Sequence, residues 1–206
     1  MIVDEWFPTL IYSDFINTNG LEEVAYNLKT KSDGVVKSNK NGWQSDVLKN
    51  EMFSKLIDDI ENAALEIYNE HYEPGTGRYK VSGIWVNINN PGAFNIRHQH
   101  PRTDLAGTVY VKTPKNCGDI VFEDPRETHR LHEDDNYLMS YNRSTFRSTS
   151  YTPKIGQVLF FPGWLAHRVE QNKSDDDRIS IAFNMTLDQT NYNIMKLIER
   201  QINGQD

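Results

Sequence analysis

His98 and His100 stand one residue apart, His167 follows about seventy residues on, and Arg178 comes eleven residues after that. A neutral imidazole is a good ligand for iron, zinc, copper and nickel. A guanidinium fork binds a carboxylate through two parallel hydrogen bonds. Alternate residues of a strand point to one side, so a strand carrying His98 and His100 presents two imidazoles together, and Pro101 ends it. His167 closes the run Gly156 to Ala166, which is apolar except for Gln157. An imidazole in such a wall is held neutral, the form a metal requires. The set predicts a metal site built from His98, His100 and His167. Arg178 and Ser180 share one face of the strand that opens at Arg178 and make a clamp for an acidic co-substrate. The competing assignment for Arg178 is an ion pair with Asp175, Asp176 or Asp177 just before it. His71, His129 and His132 stand alone and are assigned ordinary surface or core positions.

The elements that must position these groups follow from periodicity. Trp6 to Tyr12 is an apolar, β-rich opening around Pro8. Leu21, Val24, Ala25 and Leu28 recur at helical spacing, and a polar loop runs from Lys31 to Trp43. A longer helix is predicted over Glu51 to His71, with Phe53, Leu56, Ile57, Ile60, Ala64 and Ile67 on one face. Pro74, Gly75 and Gly77 stop it. From Arg78 the period changes to two. Strands are predicted through Ile84 to Ile88, Val109 to Val111, Ile120 to Phe122, Phe146 to Tyr151, Gln157 to Phe161, Leu165 to Glu170 and Arg178 to Met185. Many short strands with regular turn signals indicate a sandwich or barrel. A last helix, Tyr192 to Ile202, closes the chain. The fold class is mainly β with flanking helices: a jelly-roll, cupin-like barrel preceded by N-terminal helices, with the metal in its mouth.

Composition bounds the setting. With 206 residues, the chain is one domain of ordinary globular make-up. The net charge of -7 argues against nucleic acid as a bulk electrostatic partner, although a local basic groove around Arg143, Arg147 and Arg168 stays open. The single Cys117 allows no internal disulfide, fits a reducing compartment, and is expected in a loop rather than as a catalytic thiol. No stretch approaches the roughly 20 apolar residues that span a bilayer. Met1 to Leu10 lacks the pattern of a signal peptide. A cytoplasmic protein is expected.

Five segments carry a family resemblance: WVNINNPGAFNIRHQHP, AGTVYVKTP, GDIVFEDPR, PKIGQVLFFPGWLAHRVEQN and DRISIAFN. With FPTLIYSDF and GWQSD they cover most of the chain, in an order that resembles the Fe(II)/2-oxoglutarate-dependent oxygenases, in particular the 2OG-Fe(II) oxygenase family of bacteria and tailed phages. The resemblance implies a double-stranded β-helix. It divides the chain into an N-terminal strand and supporting helices (1–77), a jelly-roll core (78–187) and a C-terminal helix (188–206). It implies that His98 is the first iron ligand, that His167 is the distal one, and that Arg178, supported by Ser180, holds the far carboxylate of 2-oxoglutarate. Tyr110 and Asn87 are implied, less directly, in the same pocket. The implied reaction is hydroxylation of a C–H bond, coupled to decarboxylation of 2-oxoglutarate to succinate.

The chain departs from the wider superfamily at the third ligand. His-Gln-His stands where His-x-Asp or His-x-Glu is usual. Three readings are open: His100 is the third ligand, which is favoured; His100 lies behind the metal with water on it; or a more distant acid, Asp104 or Glu123, supplies a carboxylate. Because His100 fills the place that a halogenase leaves empty, halogenation is disfavoured. Two rivals remain. A three-histidine cupin would need no 2-oxoglutarate and leaves Arg178 and Ser180 without work. A binding module on a degenerate scaffold would hold no metal. The substrate is not legible; a peptide or amino-acid side chain is slightly preferred. Asp124 to Arg143, with Tyr137 and Tyr141, is a candidate lid, and the C-terminal helix leaves a homodimer open.

Overall fold

The computed structural model describes residues 2, 6–48, 50–126, 146–190, 192, 194 and 196. The expected lid falls almost wholly outside these residues, as do His129 and His132 and most of the expected C-terminal helix. Among the described residues, no helix is long and apolar enough to cross a membrane.

Two sheets face one another. In chain order the strands are β1 (Tyr12–Phe15), β2 (Asn39–Lys40), β3 (Trp43–Gln44), β4 (Arg78–Asn89), β5 (Phe94–His98), β6 (Leu105–Lys112), β7 (Ile120–Glu123), β8 (Ser148–Tyr151), β9 (Gln157–Pro162), β10 (His167–Val169) and β11 (Arg178–Asp188). The larger sheet runs β1-β9-β6-β11-β4-β3 and the smaller β2-β5-β10-β7-β8. Two helices, α1 (Leu21–Lys29) and α2 (Ser54–His71), complete the described elements.

The alternation expected of β11 is sharp. Ile179, Ile181, Phe183 and Met185 are fully buried on the outer side of the larger sheet, in one core with Ile84, Val86 and Ile88 of β4 and Leu56, Ile60, Ala64 and Ile67 of α2. This is a period-two strand laid on a period-3.6 helix. The inward residues of the same strands include Asn87, Arg178, Ser180 and Asn184, and they make the floor of the site.

Most strand ends shift by a few residues, and four departures have a local reason that bears on the architecture. The opening strand starts at Tyr12 rather than covering Trp6 to Tyr12; Phe7 has φ 60°, outside the extended region, and Trp6 and Phe7 stand exposed. The helix expected from Glu51 begins with a 3-10 turn, Asn50–Phe53. The polar loop after Lys31 contains β2, which borders β5. Most consequentially, β5 ends at His98, so His100 lies beyond the strand. The partner strand β10 is only three residues long and its pairing with β5 stops at His167 opposite His98, leaving His100 outside the ladder.

Candidate active site

The two sheets enclose a cavity of about 560 Å³ whose lining includes all seven residues singled out in the sequence: His98, His100, His167, Arg178, Ser180, Tyr110 and Asn87. The smaller sheet contributes the first pair. His98 and His167 are direct partners in the β5–β10 ladder, with ring centroids 4.3 Å apart. His100 completes the group from the loop, 5.3 Å from the His98 ring and 5.2 Å from that of His167. One ligand nitrogen of each lies within 4.8 Å of the others.

The hydrogen bonds fix which nitrogen that is. His98 Nδ1 lies 2.7 Å from the Ile96 carbonyl oxygen and His167 Nδ1 lies 2.9 Å from that of Leu165. A carbonyl oxygen only accepts, so each Nδ1 carries the proton and each Nε2 keeps its lone pair. His100 Nδ1 lies 2.6 Å from Asn184 Oδ1, and the same logic holds. Burial lowers the pKa of His98 and of His100. His167, backed by Phe161 and Phe122 and facing His98, is pushed down to about 3 by burial first and by His98 second. All three are neutral donors at physiological pH, as divalent-metal ligands must be. No carboxylate joins the cluster among the described residues. Asp104 Oδ2 instead accepts from the Leu187 amide, and Glu123 is held by Arg97 at 2.7 Å and Arg168 at 3.3 Å. This favours the three-histidine reading over a distant acid.

The larger sheet contributes the other four. Ser180 is opposite Asn87 on β4 and opposite Tyr110 on β6, so the three make a row across the sheet; Arg178 is two residues along β11 on the same face. Arg178 is 1% exposed. Its Nη1 donates to the carbonyls of Cys117 and Gly118 at 2.9 and 3.0 Å. Gly118 can take this place because its φ is +87° and a Cβ there would overlap the Glu170 and Gln171 carbonyl oxygens. The ion pair with the preceding aspartates does not form: Asp176 takes Lys112 at 3.0 Å and Asp177 accepts from Tyr26 Oη at 3.1 Å. Burial lowers the Arg178 pKa, the mark of a charge held away from water. Asp119 is near enough to favour the charge, but no carboxylate among the described residues forms an ion pair with Arg178; a buried cation left unpaired is costly, so the cavity calls for an anion. Burial raises the Tyr110 pKa, keeping the phenol a neutral donor. Asn87 Oδ1 is buried with no hydrogen-bond partner, a vacant acceptor on the same floor. This donor set fits a divalent cation beside a small dianion.

Sequence reasoning missed Asn184. It shares the inward parity of Arg178 and Ser180 on β11, and that spacing was a usable signal. Cys117 is a buried loop thiol whose pKa burial raises, and it serves through its carbonyl. His71 Nε2 lies 2.7 Å from Tyr12 Oη, outside the cavity lining.

Residues 83–184 match the model of a family described as Putative 2OG-Fe(II) oxygenase. No curated protein matches the chain. Among solved structures it is similar to a Pseudomonas putida prolyl-4-hydroxylase, at 12% identity and TM-score 0.59, over 86% of this chain and 94% of that one. The viral collagen prolyl hydroxylase of Paramecium Bursaria Chlorella virus-1, in complex with 2OG, aligns at 17% identity and TM-score 0.55, over 85% and 96% of the two chains. HygX from Streptomyces hygroscopicus, with nickel and 2-oxoglutarate bound, aligns at 12% identity and TM-score 0.57, over 86% and 82%. At such identities the likeness speaks for the fold, the jelly roll expected from the strands.

Proposed function

From the match of residues 83–184 to the 2OG-Fe(II) oxygenase family, we propose that the chain is an oxygenase dependent on iron and 2-oxoglutarate that hydroxylates a peptide or amino-acid side chain, with His98, His100 and His167 as the metal ligands. The carrying observation is one cavity that joins three neutral imidazoles to a buried Arg178 that forms no ion pair among the described residues. Neither a cupin without 2-oxoglutarate nor a non-catalytic module is favoured, since neither gives Arg178 an anion to hold.

Bound together, Fe(II) and 2-oxoglutarate supply the oxidising power: dioxygen is consumed, 2-oxoglutarate is converted to succinate and carbon dioxide, and one oxygen atom enters a substrate C–H bond. The chain supplies the rest. The three Nε2 lone pairs hold the metal without adding charge. A neutral ligand set leaves the full divalent charge to be balanced by the co-substrate dianion, so metal and 2-oxoglutarate binding should be tightly coupled. Arg178 and the Ser180 hydroxyl take the far carboxylate, Tyr110 donates beside them, and Asn87 offers its amide. Phe161, Ile120 and Val169 give the cavity apolar walls, and Lys37, Ile96 and Gln99, which also line it, are left for the substrate.

The preference for a peptide or amino acid rests on the fold shared with prolyl hydroxylases. A cytoplasmic setting fits the single buried thiol of Cys117. We also assign residues 1–206 to one oxygenase domain. The core is 78–187, the support 1–77 and the C-terminal segment 188–206. The test is oxygen-dependent conversion of 2-oxoglutarate to succinate by the iron-loaded protein, followed by a screen of peptides and free amino acids for a mass gain of one oxygen atom. Turnover that persists in His167→Ala, or is absent from the iron-loaded wild type, overturns the proposal.

A further inference from the structure

We propose that Asn184 is the residue that positions the third metal ligand, His100, and that affinity for the metal depends on its side-chain carbonyl. The proposal rests on the assignment of His98, His100 and His167 as the metal site.

The three imidazoles are not held alike. His98 and His167 each direct Nδ1–H to the carbonyl two residues earlier in their own chain, Ile96 and Leu165. That bond comes with the local backbone and needs no other element. His100 lies past the end of β5. Its Nδ1–H is taken by Asn184 Oδ1 at 2.6 Å, from a residue 84 positions away. Its backbone N–H donates to the Gly163 carbonyl at 2.8 Å, which places the loop but leaves the ring free to turn. The ring plane is set by Trp85, stacked at 5.9 Å and 24°, and by Phe161, edge-on at 6.3 Å and 85°. Stacking fixes a plane but does not choose which nitrogen faces the cavity. The bond to Asn184 makes that choice.

Asn184 is built to do this. It continues the inward series Arg178, Ser180, Ala182 on β11, all of which line the cavity. The β4 register then breaks immediately after it: Asn184 is opposite Gly83 but Met185 is opposite Val81, so Ser82 is an extra residue. A bulge re-aims the local side chains, and Ser82 Oγ donates to the Asn184 carbonyl at 3.3 Å. One strand therefore orients both the anion clamp at Arg178 and the third ligand at Asn184.

Groups that orient a ligating histidine typically change metal affinity by about 10–100-fold when removed. The experiment is titration of the full-length apoprotein with Co(II), followed by its visible absorption, beside the thermal unfolding of each apoprotein. We expect Asn184→Leu to weaken Co(II) binding by about 10–100-fold and to alter the absorption band. Asn184→Asp keeps the shape and the acceptor, so it should bind at least as tightly as wild type; it also reports if the leucine variant fails to fold. His167→Ala should not bind. If Asn184→Leu folds and binds like wild type, or Asn184→Asp binds more weakly than wild type, the role of Asn184 is overturned while the metal site stands. If wild type takes up no Co(II), the three-histidine assignment falls and this inference falls with it.

Discussion

The two sheets hold their halves of the site by different means. The larger is built on β4 and β11, of 12 and 11 residues, and its polar row of Asn87, Ser180 and Tyr110 is placed by ladder register alone. Its far face is a continuous apolar layer against α2, so the floor that receives the co-substrate is as rigid as the core. The smaller sheet carries its two histidines on a strand of three residues and another of five. There, ring-to-carbonyl bonds and a loop do the positioning that length does elsewhere. Gly163 shows how tight that loop is: a Cβ would overlap the Thr103 carbonyl oxygen. The difference teaches that ladder register places the polar floor, whereas the histidine end depends on ring-to-carbonyl bonds and a loop.

The largest effect tests the metal end. His167→Ala should abolish stoichiometric metal binding yet leave the apoprotein folded, because β10 contributes little to the main core; metal analysis and circular dichroism check both. Full retention of metal would break the contrast. Arg178→Leu is the counterpart in the larger sheet. Truncating one partner of a buried charge pair costs about 3–5 kcal/mol. The affinity for 2-oxoglutarate should therefore fall by roughly two to four orders of magnitude, with metal stoichiometry unchanged and apoprotein stability no lower. Calorimetric titration reads the first and thermal unfolding the last.

How much of this was legible follows the same division. The long alternating runs of β4 and β11 announced the strands, and the phase of β11 put Arg178 and Ser180 together before any coordinates. The histidine triplet was found by type and spacing, but for a partly wrong reason. His98 and His100 do not alternate along a strand; a loop, Trp85 and Asn184 bring His100 round. Those are tertiary causes, between residues far apart in the chain, and a period-two pattern carries no trace of them. The contest over Arg178 was likewise settled at a distance, by Lys112 and Tyr26 engaging Asp176 and Asp177.

Smaller effects sharpen the comparison. Phe183→Ala, on the outer face of β11, should cost about 3 kcal/mol or more of unfolding free energy, since Phe183 is fully buried against Phe160; urea denaturation reads it. A loss well below 1 kcal/mol would show that the larger sheet is not the rigid partner. Ser180→Ala removes one hydroxyl from the floor and should weaken 2-oxoglutarate binding by about fivefold, the worth of one hydrogen bond near 1 kcal/mol. An unchanged affinity would remove Ser180 from the clamp.

The most direct test of the central claim is an anaerobic calorimetric titration of 2-oxoglutarate into the protein, with and without one equivalent of Fe(II). Three uncharged ligands and one buried guanidinium predict a single 2-oxoglutarate bound per chain when the metal is present and a greatly weakened association when it is not. Equal binding in the two cases, or none in either, would contradict the account.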